Sequence, residues 1–192
     1  MTHISSIGAG IYTDLSMSRE TYNGTLPADE TAWKALFAAE LANGNAVTVA
    51  TGEFTRIKNV REFPAIGTPP NIVNVPVYGS KTSQQIQGQA DAPSMEISLN
   101  YVASDWQAAA NYLGSMVGDG LQRPFRFTIL NAEPDAYTSL AAGLGTVENS
   151  QYFFIGKLEA LQVSPSLTDA NTATLTISVQ SEFYGAYTNA AA

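Results

Sequence analysis

Three stretches of the chain alternate apolar and polar residues with a period of two. Met95, Ile97, Leu99 and Tyr101 alternate with Ser94, Glu96, Ser98 and Asn100; Phe125, Phe127 and Ile129 alternate with Arg126 and Thr128; over 171–183, Ala173, Leu175, Ile177, Val179 and Phe183 alternate with Thr172, Thr174, Thr176, Ser178, Gln180 and Glu182. Successive strand residues point to opposite faces, so each stretch predicts a strand with one face in a core and one in water. A longer run over 151–163 also predicts a strand, and its apolar phase shifts at Gly156-Lys157 as at a bulge. Weaker strand signals lie at 7–15, interrupted by two glycines, and at 46–60, interrupted by Thr51-Gly52. Helical spacing appears twice. Trp33, Leu36, Phe37 and Leu41 share one face behind Asp29 or Thr31 as cap, with Gly44 placed to end the helix. Trp106, Ala109, Ala110, Leu113, Met116 and Val117 predict a second helix over 105–117, opened by a Ser104/Gln107 capping box and closed by Gly118 or Gly120. The segment 131–149 reads as an Ala- and Gly-rich connection with one helical turn near 135–141, and 185–192 as a frayed tail.

Between these elements runs an arm, about residues 61–93, that fits neither pattern. It carries Phe63, Pro69, Pro70, Ile72, Val73, Val75, Val77 and Tyr78, followed by a polar stretch to Asp91. Prolines remove backbone donors and hold the chain extended, which argues against an interior place in a sheet. A connection of this length in a compact domain is usually functional or disordered. Its apolar spacing favours a docking arm over a solvated loop.

At 192 residues the chain is long enough to bury roughly two-thirds of its unfolded surface in a single domain spanning 1–192. A 45% hydrophobic share with 14% charged residues predicts a folded protein. The formal net charge of −8 lacks the cationic footprint of a nucleic-acid binder. Arg56, Lys58 and Arg61 alternate along one segment and are better suited to carboxylates of a neighbouring copy, or to solvent, than to DNA. The absence of cysteine excludes disulfides, thiolate nucleophiles and thiolate metal sites. No basic-then-apolar leader opens the chain and no apolar run approaches 18 residues, so the expectation is synthesis in the cytoplasm with no membrane insertion.

Catalytic chemistry is hard to place. The only histidine is His3, and neither a Gly-x-Ser-x-Gly elbow nor a P-loop occurs; Gly8-Ala9-Gly10 lacks the third glycine of a dinucleotide fingerprint. Acidic residues are mostly isolated, and Asp29-Glu30 suits a helix start better than a metal. Asn23-Gly24-Thr25 matches a glycosylation sequon, and a tight turn accounts for it. No cofactor is expected. A small hydrolase or carbohydrate-binding module would need a clustered site that the sequence does not offer.

The order of elements nevertheless resembles a known family. The stretch Arg56-Ile57-Lys58-Asn59-Val60, the arm through Val75-Pro76-Val77-Tyr78-Gly79-Ser80, the run from Gln87 to Leu99 and the strand-helix-strand that ends in Arg123-Pro124-Phe125-Arg126-Phe127 resemble the tail tube (major tail) proteins of long-tailed, non-contractile bacteriophages, over most of residues 50–185. The resemblance implies an α+β fold, mainly antiparallel β: a sandwich- or barrel-like tail tube domain with a flanking helix and a long inter-subunit arm. It implies a non-enzymatic virion protein that forms stacked, hexameric rings and conducts double-stranded DNA without binding it specifically. Tape-measure, tail-terminator and tail-tip or baseplate proteins are the further partners it implies. Glu96, Glu159 and Glu182 are the candidate carboxylates of the channel wall. The inner tube of a contractile tail or of a type VI secretion apparatus, and another virion component of different symmetry, are the alternatives.

Overall fold

A computed structural model describes residues 13–41, 50–67, 72–75, 78–79, 84–87, 94–108, 112–129 and 150–188, with backbone only at 13, 14, 72–74, 84–87 and 188. The fold is mainly β, a mixed and mostly antiparallel sheet with few helices. In chain order the elements are β1 (Thr13–Ser18), α1 (Glu30–Ala35), β2 (Ala39–Glu40), β3 (Glu53–Arg56), β4 (Val60–Glu62), β5 (Ile72–Val75), β6 (Gln84–Gln87), β7 (Ser94–Asn100), α2 (Leu113–Met116), β8 (Arg123–Ile129), β9 (Ser150–Ser164), β10 (Thr172–Val179) and β11 (Tyr184–Thr188). The main sheet runs β2-β3-β1-β8-β9-β10-β7-β4, with β11 also on β9. Among the described strands only β2 and β3 pair in parallel.

Alternation in β7 and β10 places Met95, Ile97, Leu99, Ala173, Leu175, Ile177 and Val179 in the core, as the sequence pattern predicts. Leu15, Met17, Phe125, Phe127 and Phe154 join the same cluster from the other half of the sheet, so the sheet wraps around one core. Phe125 stacks on Phe154 at 5.1 Å between ring centroids, and Phe63 meets Phe127 edge-on at 5.4 Å. β8 is buried on both faces, because Arg126 and Thr128, expected in water, are both buried, Arg126 against the rings of Phe37 and Phe54. Pro124 sits in this central strand without breaking it: β1 pairs with β8 only from Phe125 onward, so the missing N–H falls at the strand end.

A second, smaller core forms on the outer face. Asp29 caps α1 by accepting a hydrogen bond from the Ala32 N–H at 2.8 Å, and Trp33 and Phe37 from this segment pack on Phe54, Phe153 and Ile155. The helix stops well before Gly44, which lies outside the described residues. The chain instead turns into β2, where the Ala39 N–H donates to the Gly52 carbonyl. Gly52 has φ +79°, and a Cβ there would stand 2.6 Å from the Ala35 carbonyl oxygen, so the turn admits little but glycine.

Other boundaries also differ from the sequence reading. The first described strand is β1 at 13–18, and residues 1–12 and the 131–149 connection, with its predicted helical turn near 135–141, lie outside the described residues. Within the predicted helix over 105–117 the described residues are helical only in the single turn α2, and 109–111, with Ala109 and Ala110, lie outside them. Trp106, Leu113 and Met116 are buried as their spacing requires, yet Ser104 is exposed in a turn and Tyr112 is extended. Gly114 comes so close to the 106–107 backbone that a Cβ would lie 2.3 Å from the Trp106 carbonyl oxygen and 2.5 Å from that of Gln107. Gly118, at φ +74°, closes the turn as predicted and donates its N–H to the Leu158 carbonyl at 2.7 Å. The bulge in β9 falls at Glu159: Ala160 faces Thr176 and Leu158 faces Ile177, leaving Glu159 as the extra residue. The expected frayed tail is β11 as far as Thr188, held by β9 and by Tyr184 and Tyr187 packing on the smaller core.

Gly114→Ala is expected to destabilise the fold by about 2 kcal/mol, since the opposing atoms are backbone and cannot turn aside. Urea titration followed by tryptophan fluorescence checks this; a midpoint equal to wild type contradicts the close approach.

Candidate assembly surfaces

The outer face of the sheet divides in two. Over β3, β1, β8 and the first half of β9 it is covered by α1, and Arg126 is part of the covered layer at 1% exposure. Its guanidinium lies 4.9 Å from the Phe37 ring centroid and 4.7 Å from that of Phe54, two neighbouring rings whose cation–π contacts stand in for part of its hydration. Over β7, β10 and the second half of β9 no described element covers the face. Here the register stacks rows of small polar residues: Ser94, Ser178 and Lys157; Glu96, Thr176 and Ala160; Ser98, Thr174 and Gln162; Asn100, Thr172 and Ser164. At one margin the irregular pairing of β4 sets Arg61 and Glu62 over this face, and with Ser98, Thr172 and Thr174 they line an open polar cleft of about 360 Å³.

Both margins of the bare region end in unpaired backbone among the described residues. β4 meets β7 only at Leu99 and Ser98, leaving 94–97 without a strand on that side. β8 leaves β9 at Gly156, so 157–164 lack a strand on the β8 side, with the Gly118 N–H satisfying one carbonyl there. Exposed edges of this kind recruit further strands unless blunted.

The arm contains a separate two-stranded sheet. β5 and β6 pair antiparallel, with Ile72 opposite Gln87, Val73 opposite Ile86, Asn74 opposite Gln85 and Val75 opposite Gln84. They bond to no strand of the main sheet, and no other described element packs broadly against them. Tyr78 near the tip is fully exposed and Val75 is exposed.

The predicted site residues therefore divide. The base of the arm is not free, because Arg61 and Glu62 belong to β4 and Phe63 packs within its own chain. Ile72, Val73 and Val75 lie in β5, Tyr78 follows it, and Pro69, Pro70 and Val77 lie outside the described residues. Of the three carboxylates, only Glu96 stands in the rows of the bare face; Glu159 is the exposed bulge residue and Glu182 lies exposed between β10 and β11. The basic trio does not gather: Arg56 donates to Glu40 at 2.6 Å, while Arg61 is exposed on β4. Sequence reasoning passed over the β9–β10 turn, where Leu167 is 104% exposed beside Val163 at 43%. An isolated leucine in Ser164-Pro165-Ser166-Leu167-Thr168-Asp169 was the available signal.

Beside the α2–β8 turn, Arg123 donates to both oxygens of Asp119, at 3.1 and 2.6 Å. Burial pushes the Asp119 carboxyl up, but the Arg123 hydrogen bonds, the Leu121 N–H and the Arg123 charge outweigh it and hold the group below its usual range. Arg19, buried near Arg123, is lowered by its own burial and then by the Arg123 charge, with Glu53 opposing. Among the described residues there is no cluster of three or more His, Cys, Asp or Glu able to hold a metal, and no helix long and apolar enough to cross a membrane. No family model matches the chain, and no curated protein matches it.

Because Asp119 is depressed in the folded state, its stabilisation is present above the unfolded carboxyl value near ~4 and fades as pH falls through the folded one. Asp119→Asn is expected to cost about 1 kcal/mol at neutral pH, the scale of a partly screened pair, with the gap to wild type closing in acid. Denaturant midpoints across pH check it; a pH-independent difference contradicts the ion pair.

Proposed function

We propose that the protein is a non-enzymatic structural subunit that polymerises into stacked, hexameric rings forming the tail tube of a long-tailed bacteriophage, a conduit for double-stranded DNA. The observation that carries this reading is the bare, hydroxyl-rich sheet face bounded by two open edges. A face of Ser, Thr, Asn and Gln gains little from burial and keeps its water, as a channel wall does. Open edges on either side allow the same sheet to continue from copy to copy, and a closed ring leaves no edge over.

Charge favours the same reading. Each copy carries a net charge of −8, so a ring accumulates a strongly negative field, and the face itself holds few cations to grip phosphates. DNA meeting such a wall slides. The arm hairpin supplies contact between copies, and tape-measure, terminator and tail-tip proteins would engage the ends and interior of the tube.

Negative-stain electron microscopy of the purified, concentrated protein tests this: stacked hollow rings are expected. A species that stays monomeric at every concentration, and with tail-initiation factors added, overturns it. Deleting residues 69–87 is expected to leave a folded monomer that no longer assembles, because the deletion removes β5 and β6 and spares every strand of the main sheet. Circular dichroism and size-exclusion chromatography distinguish that outcome from misfolding.

A further inference from the structure

Two parts of the described surface present apolar residues that the protomer itself leaves uncovered. One is the arm hairpin. A four-pair, two-stranded ribbon is marginal in water without a third layer, and among the described strands β5 and β6 pair only with each other. Its register sets Val73 opposite Ile86, with Val75 two residues further along.

The other is the end of the β9–β10 hairpin. Leu167 is fully exposed, and Val163 and Val102 are exposed at 43% and 40%. Val102 belongs to the same end of the sheet, because the Tyr101 N–H donates to the Asn171 carbonyl at 2.8 Å. The turn that carries Leu167 is locked. Ser166 Oγ accepts from the Asp169 N–H at 3.0 Å, and the Ser166 N–H donates to Asn171 Oδ1 at 2.9 Å. A fully exposed leucine on a turn held this way loses little entropy on burial, which is what an anchor requires.

We infer that the end of the β9–β10 hairpin, Val102, Val163 and Leu167, is the docking surface for the arm hairpin of a second copy of this chain. The charges are complementary in balance: the only charged residue from Ile72 to Gln87 is Lys81, while the receiving end carries Asp105 and Asp169, and Arg61 and Glu62 beside Thr172 offset one another. Arm and receiver are different patches, so the contact is heterologous and repeats from copy to copy. The inference rests on the proposed self-assembly and adds to it the place where the arm binds.

The chain has no cysteine, so Val75→Cys and Leu167→Cys each introduce a single thiol. A disulfide requires the two Cα atoms within about 7 Å, which makes the cross-link a report of contact. Concentrated together and oxidised, the two variants are expected to give a linked dimer with one copy of each, in excess over dimers of either variant alone. Adding Val163→Asp to the Leu167→Cys chain should suppress it. If wild-type protein forms rings but the mixture gives no mixed dimer, the docking surface is overturned while the tube reading stands. If the double variant Val75→Cys/Leu167→Cys closes only within its own monomer, the arm docks at home and the inference fails. If wild-type protein never assembles and no mixed dimer forms, both readings fall together.

Discussion

The whole arrangement turns on a hand-over at Gly156. β9 is fifteen residues long; β8 runs beside it as far as Gly156, and β10 joins from Gly156 onward on the opposite side. At that point the layers are pinched. A Cβ on Gly156 would sit 3.1 Å from Ile177 Cγ2 and 3.2 Å from both Phe125 and the Ser178 carbonyl oxygen. The absence of a side chain lets β8 and β10 converge on one strand, and the Glu159 bulge that follows re-aims its second half. One strand thereby belongs to both halves of the sheet, which is why residues from β1 and β7 share a core.

The hand-over also decides which outer surface is covered. Before Gly156, the outward residues of β9 are Gln151, Phe153 and Ile155, all buried under α1, β11 and their surroundings. After it they are Lys157, Ala160, Gln162 and Ser164, left bare. The change in composition matches the change in environment. Phe153 lies within ring-stacking distance of Trp33, Phe37 and Tyr187, whereas the bare rows contain no large apolar residue. Arg126 belongs to the covered half and fits there because two aromatic faces replace its water, each such contact being worth about 1–2 kcal/mol when desolvated.

Much of this was legible in the sequence where the deciding force was local. β7 and β10 alternate because one face is dry, and the pattern states as much. The Asp29 cap and the Gly118 stop are also local chemistry. What escaped was set by distant partners. Trp106, Leu113 and Met116 have helical spacing and reach the core, but the close approach at Gly114 lets two short turns bring them there in place of one helix. β11 carries no strand pattern of its own beyond Tyr184 and Tyr187; it forms because β9 presents an unpaired side below the end of β10. Arg126 alternates as a wet residue should, and only the placement of α1 shows otherwise. In the arm, the base at Arg61 and Glu62 joins the main sheet as β4 against the reading of the whole segment as an arm, and the pairing of β5 with β6 depended on a register no periodicity encodes.

The arm and the bare face pose one physical problem from two sides. A short ribbon with apolar register positions and no covering layer is poorly stabilised alone. A polar sheet with open edges is stable as a surface but unfinished as a sheet. Within one protomer neither deficit is met by the other, because β5 and β6 bond to no strand of the main sheet. In the proposed assembly repetition would meet both: each edge would find another edge and each arm another body, with no contact that a single chain must complete. On the proposed reading, ordering the arm costs conformational entropy that only docking would offset, so the protein would stay dispersed when dilute and grow cooperatively once a template held the first copies in place.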